Sequence, residues 1–274
     1  HAPEPFTSAM LDNCIEKGIS RQAGGVKYNF SGIFGVGLAS VSDAIAAVRY
    51  LYFDKKSVTQ AALLDALKNN FDGAEDLKML CERAPKFGND DDYVDFIARD
   101  ASHIFCKEVV QYPCMRGGIY IPELHSVSTH VYFGEITGAT PDGRPSGIAF
   151  SDGASPVGGR DRKGPTSAVR SMSKIDHMEV LQGVLYNQKF SPSVLNSAES
   201  TALLSDYIRT WCDLGGHHIQ FNIVSSEDLK EAQANPDEYR DLIVRVAGYS
   251  AYFAELNANT QNEIIARTEY EEMV

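Results

Sequence analysis

The chain has 274 residues, 43% of them hydrophobic and 23% charged, with a formal net charge of -12. That length holds one large domain or two small ones around a sizeable core. The acidic balance excludes a nucleic-acid backbone or an anionic membrane as the main partner, because both select for basic patches. No apolar run approaches the ~20 residues of a spanning helix, and the start, HAPEPFTSAM, lacks the basic-then-apolar layout of a signal peptide. A cytoplasmic enzyme is the expectation. His1 in place of Met points to a chain that is processed, trimmed or part of something longer. Cys14, Cys81, Cys106, Cys114 and Cys212 form no CxxC pair, so they read as reduced thiols and not as a disulfide framework or a zinc site.

In chain order, residues 6–17 read as a short amphipathic helix, and the glycine-punctuated GGVKYNFSGIFGVGL from Gly24 as a loop. Three helical patterns follow, over 42–53, 59–71 and 93–110. The last has Val94, Ile97, Ala98, Ala101, Phe105 and Val109 on one stripe and an acidic run at its start. SVSTHVYFG (126–134) alternates with the period of a strand, and ATPDGRPSG is turn chemistry. A strand is expected over 183–190, a helix over 200–214 stopped by Gly215-Gly216, and a strand in HHIQFNIV (217–224). A helix over 226–234 and a strand over 242–246 come next, and then Gly248. The final helix, near 261–267, is expected to open with a capping box from Thr260 to Glu263. The alternation of strand and helix argues for a parallel α/β sheet, with Gly248 just past the carboxyl end of a strand, where such sheets place their chemistry.

Most motifs read as structural. The glycines of GIFGVG are in the wrong order for a dinucleotide fingerprint and have no strand before them. His217 and His218 are adjacent, so in a strand their side chains face opposite ways and cannot share a metal. His125 and His130 have no acidic partner at ligand spacing. Cys14 with Glu16, and Cys106 with Glu108, could each join a sulfur nucleophile to a base. Both pairs fall in helical patterns, where i and i+2 point about 200° apart, and read as structural thiols. Glycine is a different matter. Loss of one α-hydrogen leaves a radical flanked by a donating nitrogen and a withdrawing carbonyl, and glycine tolerates the flattened centre at little steric cost. A protein that stores such a radical would be expected to bury it from solvent and oxygen.

RVAGYSAYF (245–253) followed by QNEIIARTE (261–269) resembles the C-terminal signature of the glycyl radical enzymes, the superfamily of pyruvate formate-lyase and the radical dehydratases. PFTSAMLDNCIEKG, GGVKYNFSG, GVGLASVSDAIAAVR, GATPDGRPSG, GPTSA, NQKFSPSVL and GGHHIQFN resemble further family blocks in family order. The resemblance implies an α/β fold: half of a ten-stranded barrel, that is, a parallel five-stranded half-barrel with surrounding helices, plus a C-terminal glycyl radical domain. Its boundaries would be 1–150 for the barrel part and 151–274 for the radical domain.

By the same resemblance, Gly248 would hold the radical in a loop of Arg245, Val246, Ala247, Tyr249 and Ser250. His125, where relatives often have tyrosine, would contact substrate. The family's catalytic cysteine, in a Gly-Cys-x-Glu setting, would lie upstream of His1; Cys14 lacks that glycine. The resemblance implies no bound cofactor but a glycyl radical as a post-translational modification, installed by a radical SAM activating enzyme with an iron–sulfur cluster. Implied partners are that activase, the N-terminal half carrying the cysteine, a second copy in a homodimer, and a small-molecule substrate; a bacterial microcompartment is an implied location. Tyr249-Ser250-Ala251 leans towards the dehydratase, lyase and decarboxylase branches, with dehydration leading, then C–N or C–S cleavage, arylacetate decarboxylation or formate acetyl transfer. A radical-bearing spare part that docks on a partner enzyme is the alternative of another class.

Overall fold

The computed structural model describes residues 3–272. The first amphipathic stretch is two short helices, α1 (Pro5–Ala9) and α2 (Cys14–Lys17), and not one. Asn13 between them is left-handed, at φ 76°, a conformation asparagine tolerates and a helix interior does not. The glycine-rich stretch expected to be a loop contains strand β1 (Phe30–Phe34). Helix α3 (Leu38–Val48) starts four residues before the expected 42 and runs on as a π-helical turn, Arg49–Asp54. Helix α4 (Gln60–Lys68) starts after Thr59, whose side chain accepts from the Ala62 N–H at 3.2 Å. Helix α5 (Glu75–Arg83) buries only Cys81, too little to mark the sequence. Helix α6 (Asp92–Val109) matches the expected stripe, capped by Asp91.

Strand β2 (Ile119–Leu124) precedes the segment read as a strand, and that segment is instead helix α7 (Thr129–Glu135). Two features make it a helix. Val127 turns the chain at φ 54° on leaving β2. Gly134 packs its bare α-carbon against the next segment: a Cβ there would lie 2.3 Å from the Ile148 carbonyl oxygen. Helix α8 (Gly164–Met172), with proline in its first turn, follows. The single strand expected over 183–190 is two, β3 (Gly183–Val184) and β4 (Asn187–Phe190), which belong to different sheets. Helix α9 (Ala198–Asp213) carries a capping box between Ser197 and Ser200, and strand β5 (Gln220–Ile223) and helix α10 (Ser226–Ala234) lie where expected.

Strand β6 (Ile243–Arg245) does not join a parallel sheet. It pairs antiparallel with β7 (Ser250–Tyr252), Arg245 opposite Ser250, in a two-stranded hairpin. Helix α11 (Ala258–Ala266) is capped by Asn257, which accepts from the Thr260 N–H at 2.9 Å, so the Thr260–Glu263 box is not formed and Glu263 is free for another task. A two-residue strand, β8 (Glu269–Tyr270), closes the described chain.

The class is α/β, as expected. Among the described residues, however, the parallel strands form two three-stranded sheets, β1-β2-β3 and β5-β4-β8, and not one five-stranded array. The main core packs Trp211, Tyr186, Phe190 and Tyr207 with Phe87, Leu124 and Met172, and so joins residues on both sides of position 150. A second cluster, with Leu185, Val224, Leu229, Val244, Phe253 and Ile264, fills the space beneath the hairpin. Burial of each such side chain contributes about 1.5–3 kcal/mol, so the hairpin is anchored from below. Among the described residues no helix is long and apolar enough to cross a membrane.

Candidate active site

The hairpin tip is a two-residue loop, Ala247-Gly248, closed by a hydrogen bond from the Val246 N–H to the Tyr249 carbonyl at 2.9 Å. Gly248 has φ 76°. An L-residue pays roughly 1–2 kcal/mol for that conformation. A side chain would also collide: a Cβ on Gly248 would lie 2.8 Å from His125 Nε2 and 3.1 Å from its Cε1. Backbone angle and available space both call for glycine.

Val246 and Ala247 are buried on the apolar cluster, whereas Gly248, Tyr249 and Ser250 are exposed. The chain's elements reach under the loop and along one side, and the tip faces outward.

The loop lies on a polar bed built by strand periodicity. Asn187 of β4 stands opposite Gln220 of β5 in the parallel register, and the Gln220 amide donates to the Asn187 carbonyl oxygen. Gln220 and Asn222 share a face of β5. Gln220 Oε1 accepts from the Gly248 N–H at 3.3 Å and from Arg245 Nε at 3.0 Å. Asn222 accepts from the Arg245 N–H at 2.7 Å and donates back to its carbonyl at 2.8 Å. Asn187 donates to the Val246 carbonyl at 3.1 Å and also to Asp152. Across the hairpin, Arg245 reaches the Ser250 hydroxyl at 3.2 Å.

Arg267, just past α11, donates to the Arg245 and Val246 carbonyls at 3.2 and 2.9 Å. Its guanidinium is fixed by Glu263 in a bidentate pair at 2.8 and 3.0 Å, with Asp152 at 3.6 Å. Burial pushes the Glu263 carboxyl up, but Arg267 and His130 outweigh it and hold it down to about 2. Burial likewise opposes the charge of Arg267, and Glu263 and Asp152 keep it raised. His130 is fully buried in α7, with Glu263 at 3.5 Å and Asp152 at 3.8 Å. These are ion-pair separations; among the described residues neither ring nitrogen has a hydrogen-bond partner. Burial works against the imidazolium, and the two carboxylates prevail and raise its pKa. Asp152, Asn187, Glu263 and Arg267 also border a cavity of about 320 Å³ that neither Gly248 nor His125 lines, so this space lies beside the loop's anchors and not at its tip.

His125 follows β2 and bonds at both ring nitrogens. Nδ1 is 2.8 Å from Glu123 Oε1, and Nε2 is 2.9 Å from the Ala247 carbonyl oxygen. No ring nitrogen is left over for a substrate. Phe34 packs edge-on against the ring, its centroid 6.2 Å away.

The structure thus brings Arg245, Val246, Ala247, Gly248, Tyr249, Ser250 and His125 to one place. It leaves the thiol–carboxylate pairs structural. Cys106 is buried in α6, its thiol pushed up to about 11 by burial, while Glu108 turns to Tyr112; Cys14 is buried and Glu16 exposed. His218 accepts from the Tyr186 N–H at 3.4 Å, and its basicity is lowered by burial, then by Arg245 and His125. His217 packs edge-on against His177. Sequence reasoning missed Asn187, Gln220, Asn222, Glu263 and Arg267. The period-two spacing of Gln220 and Asn222 was a signal for the first group; nothing local marks the reach of Arg267 to the loop.

The site is thus a left-handed hairpin-tip glycine crowded by His125, on a bed that fixes its neighbouring carbonyls. A family model described as pyruvate formate lyase-like matches residues 1–134, and one described as glycine radical matches residues 150–254. The chain belongs to this superfamily. It is 43% identical over 270 residues to trans-4-hydroxy-L-proline dehydratase of Clostridioides difficile, covering 98% of this chain and 34% of the relative. It is 40% identical to isethionate sulfite-lyase of Bilophila wadsworthia, covering 89% of this chain and 30% of the relative. Its fold superposes on the glycerol-bound B12-independent glycerol dehydratase of Clostridium butyricum with a TM-score of 0.94 at 50% identity, over 98% of this chain and 34% of that one. The chain spans about a third of the length of the relatives it matches.

Proposed function

We propose that Gly248 carries the stored radical of an anaerobic lyase whose leading reaction is dehydration of a small hydroxylated substrate. The observation that carries this reading is Gly248 itself, left-handed and with no room for a Cβ beside His125. The radical is proposed to be installed by an activase that uses S-adenosylmethionine and an iron–sulfur cluster, which removes one α-hydrogen atom. Gly248 then takes a hydrogen atom from a cysteine supplied from outside the described residues, leaving a sulfur radical. That sulfur takes a hydrogen atom from substrate carbon. The substrate radical expels the neighbouring hydroxyl as water, an acid supplying a proton to the leaving oxygen and a base taking one from the substrate radical, and the neutral product radical takes the hydrogen atom back from the thiol.

Arg245, Val246, Ala247, Tyr249 and Ser250 are proposed to hold the loop, and His125 to border the reaction space. The dehydratases among the relatives support C–O cleavage; the isethionate lyase keeps C–S cleavage as a measurable second outcome. The residue division near 150 and a homodimeric enzyme belong to the same proposal. In the enzyme that carries this chain, anaerobic activation should give a glycine-centred signal, and air should then cut the chain at Gly248. Gly248→Ala should abolish both. Signal and cut persisting in that variant would overturn the reading.

A further inference from the structure

We propose that His125, oriented by Glu123, is a positioning residue for the Gly248 α-carbon, holding the one peptide group whose nitrogen is bonded to that carbon. The inference deepens the proposed function and rests on it for its radical arm. The carbonyl that His125 contacts, at 2.9 Å, belongs to Ala247, so its peptide unit continues directly into the Gly248 nitrogen. That nitrogen's N–H is held in turn by Gln220 at 3.3 Å. The peptide is thus gripped at both ends, by His125 on the oxygen and Gln220 on the hydrogen. Nothing else among the described residues bonds the Ala247 oxygen, whereas the Arg245 and Val246 carbonyls each have two donors.

The grip has an electronic consequence. The peptide nitrogen donates into the half-filled orbital of an α-carbon radical, and a donor on the amide oxygen competes for the same lone pair. A hydrogen bond there alters how far spin spreads onto nitrogen and how flat the centre lies. His125 Nε2 meets the Ala247 oxygen as an N–H donor, and Nδ1 faces the Glu123 carboxylate. Glu123 is suited to orient the ring: its side chain is 9% exposed, and among the described residues its Oε2 has no hydrogen-bond partner. His218, before β5, is near enough to the ring for His125 to lower its basicity. Phe34 limits the ring from the side, and the ring edge occupies the space a Cβ would need.

The test uses the enzyme that carries this chain, as wild type and as His125→Phe, His125→Gln and Glu123→Gln. His125→Phe fills the ring's space and keeps the contact with Phe34 but has no donor; His125→Gln restores one. Before activation, amide hydrogen exchange of residues 246–249 is measured. It should quicken about tenfold in His125→Phe, as for loss of one hydrogen bond, less in Glu123→Gln, and return towards wild type in His125→Gln. After activation, the α-hydrogen splitting and the air lifetime of the radical should change in the same order. Wild-type exchange in His125→Phe would overturn the proposal whatever the radical does. Quickened exchange with no radical in any protein, wild type included, would uphold the grip and sink the proposed function instead.

Discussion

The two sheets treat their strands differently. In β5-β4-β8 the middle strand, Asn187–Phe190, is buried at every residue and flanked on both sides within the chain. In β1-β2-β3, β1 is an edge strand with Phe30, Ile33 and Phe34 exposed. The first sheet is the bed of the glycine loop, with donors on the loop's carbonyls and an apolar cluster underneath. The second contributes the segment with Glu123 and His125, which meets the loop from one side and stops. Among the described residues, the support beneath the glycine and the contact at its side are therefore set by different strands.

That contrast can be broken from several directions. The largest effect belongs to Gly248→Ala, which should remove all radical signal and also destabilise the tip by at least ~1–2 kcal/mol from the left-handed angle alone; spin quantification and thermal unfolding read the two effects separately. Next comes Arg267→Met. It takes away a donor from two loop carbonyls and leaves the buried Glu263 and Asp152 with His130 in place of their guanidinium partner, a change of about 3–5 kcal/mol in unfolding free energy. Denaturant titration checks it.

The same network gives a pH signature. Because the Glu263 carboxyl sits at about 2 in the fold, below its ordinary 4.5, the stabilisation it provides is complete above pH 4.5. It is lost as the pH falls towards 2. Glu263→Gln should flatten that limb of the stability curve, and an unchanged acid limb would remove the ion pair from the account. The smallest effect is expected at the other sheet, where Phe30→Ser on the exposed edge strand should shift unfolding by no more than about 0.5 kcal/mol. A large loss there would mean that the edge strand matters to this chain as much as the buried one.

How much of this was legible followed the length and regularity of each element. Helices α6, α9 and α10 carry long or well-capped patterns and lie where periodicity puts them. Strand β2 escaped notice because Pro122 interrupts it; in the sheet that residue still serves, its carbonyl accepting from the Gln182 N–H at 3.0 Å. Alternation in SVSTHVYFG mimicked a strand, since a short window around His130, Val131 and Gly134 fits either period until the chain packs against residues 148–149. The hairpin was read as a parallel strand because β7 is only three residues long and begins five residues after Arg245.

At the site, Gly248 and its loop were legible as a block resembling relatives. The exposure of the glycine was not, because it depends on which elements fold over the tip. Nor was the bed: Arg267 meets the loop across 21 residues of sequence, and that meeting is made by α11 docking, which no local pattern encodes.

The most direct measurement is electron paramagnetic resonance on the activated enzyme produced with α-deuterated glycine, against the unlabelled protein. A radical on the Gly248 α-carbon predicts a doublet from its one remaining hydrogen, which collapses when that hydrogen is deuterium. No signal, or a signal indifferent to the label, would contradict the account.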